Sequence, residues 1–389
     1  MTEPITVSVV TGARSEYGLM RWPMQVIADD PRFVLTTVVT GSHLSEAYGE
    51  TYREIEADGF PIDAKVPVTL GSGSDADLVR AVGEMTSGFA DVFAATCPDL
   101  VLVMGDRYEL LALCAACVLM TIPIAHVSGG EITEGAIDEQ IRHAVTKMAH
   151  LHFVANETYA ARVRQMGEEG WRIRVSGEPG LDNLRRLPLL TKGELERVLG
   201  LDLSGPTALV TYHPVTLDKA SKRAELGALI AAMEEADLQY VLTYPSADPD
   251  SEAIINALTV FRDRHPRRAV LFKNLGQKRY LSTLQNVTMM IGNSSSGLFE
   301  APAFNLPVVN VGDRQKGRMR ATNVIDVAGD KASILRGIEA ALAYDRSVGC
   351  GNPYGDGRSS ERIRDFIADT FAHRTRDQIL RKRFADIPT

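Results

Sequence analysis

Four carboxylates crowd into one short stretch of this chain. In HVSGGEITEGAIDEQIRH, residues 126–143, Glu131, Glu134, Asp138 and Glu139 fall within nine positions. Carboxyl groups packed into a partly dry site have their pKa values driven apart, so that one keeps a proton while a neighbour stays ionised. Such a pair can take a proton from one face of a substrate and return one to the other. A plainer reading competes, because the helix dipole also favours acids in a first helical turn, and a helix starting near Gly135 fits the pattern. A fifth acid, Asp106, follows the apolar run 100–104 in Gly105-Asp106-Arg107. It either faces the same crevice or caps the next helix.

Two further stretches carry donors for an anion. Thr11-Gly12-Ala13-Arg14 is a turn opening a helix, where backbone N–H groups and Arg14 suit a phosphate. It lacks the G-x-G-x-x-G spacing, and no acid follows in the ribose context, which disfavours a redox dinucleotide. Gly292-Asn293-Ser294-Ser295-Ser296-Gly297-Leu298-Phe299-Glu300 places three hydroxyls and two glycines at a strand-to-helix junction. Capping a helix uses one serine, so three favour an anion site, and Glu300 one turn on suits ribose hydroxyls. His213, ahead of Pro214, ends another strand and shares that edge.

These residues need elements to hold them at strand ends. Apolar β-rich runs are expected as strands at 5–11, 34–40, 100–104, 122–127, 151–155 and 173–176, and again at 208–212, 240–244, 269–272, 288–291 and 308–311. Helical patterns separate them; one carries Leu78, Val82, Met85, Phe89 and Val92 as an apolar stripe. Alternation of this kind predicts an α/β protein with two Rossmann-like parallel-sheet domains. The rhythm breaks near Pro188, Gly193, Gly200 and Gly205, which sets the domains at 1–184 and 185–355. Residues 356–389 then form a C-terminal helical segment packing back on the body, with Ile363, Phe366, Ile367 and Phe371 on one face.

Composition narrows the function classes. A chain of 389 residues, 45% apolar and 24% charged, is an ordinary globular protein too long for one core. Its net charge of −8, without a basic stripe, argues against nucleic acid and against an anionic membrane surface. No 18-residue apolar run and no signal-peptide pattern occur, so a cytoplasmic location is expected. Cys114 and Cys117 form a C-x-x-C, but within LLALCAACVLM they suit a core helix better than a metal or redox site. No metal-ligand cluster is present, and neither a redox cofactor nor an obligatory divalent ion is expected.

Taken together, TGARSEYGLM, MGDRYE, HVSGGEITEGAIDEQIRHAVTKMAHLHF, VSGEPGLDNL, YHPVT, GNSSSGLFEAP and VNVGDRQKGRMRATNVIDV resemble, in order, the hydrolysing UDP-N-acetylglucosamine 2-epimerases that feed sialic- and legionaminic-type acid synthesis. The resemblance implies glycosyltransferase B architecture, with the sugar nucleotide in the cleft between the domains and UDP held by the second. It implies that Arg14, Arg107, Ser294, Ser295, Glu300 and Arg314 hold UDP, with Ser296 and Gly297 in the same loop, while Asp106, Glu131, Asp138 and His213 surround the sugar. Two positions depart from the family pattern: Ser128 stands where many members have a glutamate, and Ser246, a substrate-binding candidate, where they have an asparagine.

The family reaction is elimination of UDP to a glycal followed by addition of water. Loss of the nucleotide builds oxocarbenium character at C1, which makes the C2 proton removable, and protonated His213 with Arg107 and the serine loop would neutralise the departing diphosphate. Two substrates stay open, UDP-N-acetylglucosamine and a UDP-linked 2,4-diacetamido-2,4,6-trideoxyglucose. A non-hydrolysing 2-epimerase, a glycosyltransferase of the same architecture and a silent sugar-nucleotide sensor are the competing functions. A homodimer or homotetramer is the expected assembly.

Overall fold

The computed structural model describes residues 3–46, 49–69, 75–133, 137–214, 219–245 and 251–386, without the side chains of 219–223. The chain divides into two compact units, one made of Met1–Asn183 with Tyr354–Thr389 and the other of Leu184–Pro353.

In the first unit seven strands run parallel: β1 (Ile5–Thr11), β2 (Phe33–Thr40), β3 (Ala64–Val66), β4 (Leu100–Met104), β5 (Ile124–Val127), β6 (Leu151–Val154) and β7 (Ile173–Val175). Their order across the sheet is β3-β2-β1-β4-β5-β6-β7. All five residues of β4 are buried, because a parallel sheet is covered on both faces and its strands alternate between two cores rather than between core and water. Leu100, Leu102 and Met104 join one core with Tyr17, Met20 and Met24 of α1 (Arg14–Ala28) and with Ile363 and Ile367 of the helix Ser359–His373. Val101 and Val103 join the other, with Met85, Phe89 and Phe93. The expected stripe on the long helix Asp75–Thr96 is displaced: Ala81, Met85, Phe89 and Phe93 are buried, while Leu78, Val82 and Val92 flank them.

The second unit repeats the plan with β8 (Thr207–Thr211), β9 (Gln239–Thr243), β10 (Ala269–Phe272), β11 (Met289–Gly292), β12 (Val308–Val311) and β13 (Val324–Val327). The order is β10-β9-β8-β11-β12-β13, again all parallel. Here Ala208 and Val210 face one core and Leu209 the other.

Each order reverses direction once, between β1 and β4 in the first sheet and between β8 and β11 in the second. Loops leaving the carboxyl ends of strands flanking such a reversal diverge to opposite faces and leave a crevice. Gly12 and Gly105 follow the first pair of strands; Tyr212 and Asn293 follow the second. The two sheets therefore open their switch points on the stretches whose composition drew attention in the sequence. Edge strands β3 and β13 were not expected from the sequence. Each is short, and the burial of β13 is incomplete throughout, so neither carries the apolar run that marks a parallel strand.

Candidate active site

The carboxylates of the first unit are organised by a buried arginine. Arg142, on the helix Ile137–Met148, is 5% exposed. Its Nη2 pairs with Asp106 Oδ2 and donates to Thr133 Oγ1 at 3.0 Å. Its Nη1 donates to the Ser128 carbonyl at 2.9 Å and lies 3.3 Å from Glu131 Oε2. Asp138 sits one turn earlier on the same helix, so it projects over the same spot. Burial raises its carboxyl, and the Asp106 charge raises it further. Asp106 thus serves as an ion-pair partner and not as a helix cap, since the following helix, Glu109–Leu119, begins after Tyr108 with no side-chain cap.

Asp106 and Ser128 are themselves held in place. His126, fully buried on β5, donates from Nε2 to the Gly105 carbonyl at 2.8 Å, and burial brings its pKa down to about 3, so the ring is a neutral tether. Ser128, one residue past β5, takes a left-handed φ of 67°, a conformation costing about 1–2 kcal/mol for a side chain with a Cβ. Its N–H donates to the Phe153 carbonyl at 2.9 Å, which with the Arg142 bond fixes the turn. Gly130, with φ 75°, follows; a Cβ there would lie 2.5 Å from the Tyr159 carbonyl oxygen. Glu139 turns away from the cluster, accepting from the Thr133 N–H and from His143. Glu134 lies outside the described residues.

At the β1–β4 switch point the sequence missed two acids. Glu109 is 3% exposed and receives Arg107 Nη2 at 2.7 Å. Glu16 lies 3.8 Å from Arg107, and its Oε2 accepts from the N–H groups of Gly12 at 2.8 Å and Ala13 at 3.2 Å. Burial pushes the Glu16 carboxyl up to about 7, with the Glu109 charge contributing. The two turn N–H groups that a phosphate would use are thus engaged by the protein's own carboxylate, and Arg14 lies on the exposed Glu54 at 2.9 Å. Only the glutamate spaced three residues after Ala13, a capping signal, pointed to this in the sequence.

In the second unit the serine loop is built around Asn293. This fully buried side chain accepts from His213 N–H at 2.7 Å and donates to His213 carbonyl at 2.9 Å. Its own carbonyl accepts from Arg314 Nη1 at 3.1 Å and Gln315 Nε2 at 2.8 Å. One asparagine therefore brings together His213, the serine loop and Arg314. Gly292 is required there, since at φ 140° a Cβ would meet the Thr211 carbonyl oxygen at 2.0 Å. Gly297 has a packing role: its N–H donates to the Ser294 carbonyl at 3.2 Å, and a Cβ would press on Val308 at 2.7 Å. The Ser296 N–H reaches Ser294 Oγ at 3.3 Å, and the N–H groups of Ser294 and Ser295 have no protein acceptor among the described residues. Burial raises the Glu300 carboxyl, and burial with the nearby Glu300 charge pushes the Tyr280 hydroxyl up to about 12. Tyr280, on the helix Gly276–Asn286, was not legible as a site residue because a lone tyrosine in an amphipathic helix looks like packing. Ser246 lies outside the described residues.

Two Rossmann-like sheets, one with an acidic switch point and one with a switch point rich in hydroxyl and backbone donors, define an α/β protein of the glycosyltransferase B class. Residues 25–368 match the family model described as UDP-N-acetylglucosamine 2-epimerase, and the chain belongs to that family. A relative from Campylobacter jejuni, named GDP/UDP-N,N'-diacetylbacillosamine 2-epimerase (hydrolyzing), is 39% identical over 321 residues, 82% of this chain and 83% of its own. One from Legionella pneumophila, named UDP-N,N'-diacetylbacillosamine 2-epimerase (hydrolyzing), is 38% identical over 373 residues, 96% and 97% of the two chains. Among solved structures, a putative UDP-N-acetylglucosamine 2-epimerase from Listeria monocytogenes superposes with a TM-score of 0.79 at 21% identity, covering 96% of this chain and 98% of that one. The family read from the sequence motifs is the one these matches define.

Proposed function

We propose that this chain is a hydrolysing UDP-sugar 2-epimerase acting on a UDP-linked 2,4-diacetamido-2,4,6-trideoxyglucose, releasing UDP and the free 2-epimeric sugar. The observation that carries the reaction is the buried Arg142 with Asp106 and Glu131 on its two amino ends and the raised Asp138 beside them. Elimination needs an ionised base at C2, and Asp106 fills that role. Hydration of the glycal needs a proton delivered to C2 from the other face, and Asp138, whose carboxyl burial raises, supplies it. Glu131 activates the water that adds at C1. One water is consumed, and the proton lost from C2 is replaced by one from solvent. Ser294, Ser295, Glu300, Arg314 and His213 hold UDP, the two serines offering both hydroxyls and N–H groups to diphosphate oxygens.

The substrate assignment is supported by the names of the Campylobacter and Legionella relatives, both hydrolysing enzymes of a diacetamido sugar nucleotide. Incubating the enzyme in D2O with this substrate and, separately, with UDP-N-acetylglucosamine, and following both by proton NMR, tests reaction and specificity together. Free sugar, UDP and one deuterium at C2 are expected, with the diacetamido substrate consumed faster. An epimer still carrying UDP would overturn the hydrolytic reading, and preferential consumption of UDP-N-acetylglucosamine would overturn the choice of sugar.

A further inference from the structure

The first unit carries a second concentration of chemistry at the opposite end of its strands. The carboxylates follow the carboxyl ends of β4 and β5, whereas a cavity of about 760 Å3 opens beside residues 169–172, which precede β7. Trp171, Arg172, Arg374, Arg381 and Arg383 line it. Two acids also line it, and each is already neutralised: Glu169 by Arg172 at 2.8 Å and Asp377 by Arg381 at 2.9 Å. The Arg374 and Arg383 side chains have no carboxylate partner among the described residues, although the Arg383 backbone N–H donates to Glu169 Oε2 at 3.5 Å. In a chain of net charge −8, two uncompensated guanidiniums at one cavity are not a reflection of composition.

The cavity is also preorganised. The Arg172 and Arg374 guanidiniums stack on the Trp171 ring, 4.1 and 3.9 Å from its centroid. Arg172, 1% exposed, donates to the carbonyls of His150, Ile379 and Arg381, which fixes the floor against the C-terminal segment. A guanidinium held flat on an indole keeps its in-plane N–H edges available while losing little freedom when it binds, which suits bidentate capture of a carboxylate or phosphate. The volume lies in the usual range for small-molecule sites.

We propose that this cavity is a binding site for a small anion bearing phosphate or carboxylate groups, with Arg374 and Arg383 as its principal contacts. It is independent of the catalytic carboxylates. The test is isothermal titration of the intact protein, saturated with UDP, with sodium pyrophosphate and in a separate arm with citrate, at an ionic strength of about 0.15 M where long-range attraction is screened. One saturable event per chain is expected in at least one arm, weakened about tenfold or more in Arg374→Gln/Arg383→Gln, which removes charge-assisted bonds to the anion. Turnover of the double variant without added anion stays at the level of the parent. Pyrophosphate alone binding assigns the site to phosphates, and citrate alone to carboxylates. Absence of saturable binding in both arms, or equal binding by the double variant with an unchanged unfolding temperature, would overturn the proposal. The comparison between parent and variant holds whether or not UDP is this enzyme's ligand.

Discussion

Arg142 accounts for more of the first site than any single acid does, since Asp106, Glu131, Thr133 and Ser128 all meet on its guanidinium. Replacing it with Met removes the cation that Asp106 and Glu131 share. A loss of about 3–5 kcal/mol in unfolding free energy is expected, together with loss of turnover, read by urea denaturation and by UDP release. Lys at this position restores charge but not the planar fork, so Arg142→Lys should recover stability in part and turnover far less. Asp138→Asn has a different signature: kcat falls by about 100- to 10,000-fold while UDP affinity, measured by calorimetry, is retained. Equal loss of affinity would move Asp138 out of proton transfer. The acids were legible in the sequence because carboxylates cluster visibly, but Arg142 was passed over, although its place four residues after Asp138 put both on one helical face. Glu16 and Glu109 were hidden for another reason. Nothing in a linear sequence shows that residues 93 positions apart end on the same switch point.

At the scale of elements, the strand order does the positioning. Two short loops leave β8 and β11, and Asn293 bridges them by both ends of its amide. Asn293→Leu keeps the bulk and removes the two side-chain hydrogen bonds that set the register of His213. Weaker UDP binding with a smaller change in unfolding temperature is expected, and unchanged affinity would assign the amide to folding alone. Most strands were readable because a strand covered on both faces is a continuous apolar run. β3 and β13 were not, because a three-residue strand and one interrupted by Asp326 carry no such run, and the stripe on Asp75–Thr96 was misplaced because Val82 and Val92 adjoin the buried Ala81 and Phe93. The serine loop was read as three hydroxyls and two glycines, whereas the fold gives Gly297 to packing and leaves the Ser294 and Ser295 N–H groups without a protein acceptor among the described residues.

For the whole molecule, acid should be the weak side of the stability profile. Burial brings His126 and His150 down to about 3 and His43 to about 4, from an ordinary value of 6.5. Depressed histidines favour the folded chain fully above about pH 6.5 and lose that contribution as the pH falls toward 3, because the unfolded chain takes up the protons first. Glu168 adds to the loss at lower pH. Burial raises its carboxyl, but bonds from His152, Lys147 and Lys382 outweigh this and bring it to about 2, so its contribution fades between about 4.5 and 2. Glu16, raised to about 7, acts in the opposite sense and gains between about 7 and 4.5. The buried histidines, His152 among them, titrate across this window, whereas the raised carboxyls of Glu16, Asp138, Asp182 and Glu300 act in the opposite sense from lower ordinary values; a urea midpoint that declines from pH 7 to pH 5 is expected, and a flat midpoint would contradict the burial of neutral imidazoles. The division of the chain has a further consequence, which concerns time. The first unit is not contiguous, for its core includes Ile363 and Ile367, and Lys382 reaches back to the Lys147 and Ala149 carbonyls. The second unit, 184–353, is contiguous and leaves the ribosome complete while its predecessor still lacks a wall. The half synthesised first should therefore be the half that finishes folding last, and protease digestion of ribosome-stalled chains should find the segment before residue 184 still cleavable after the second unit has become resistant.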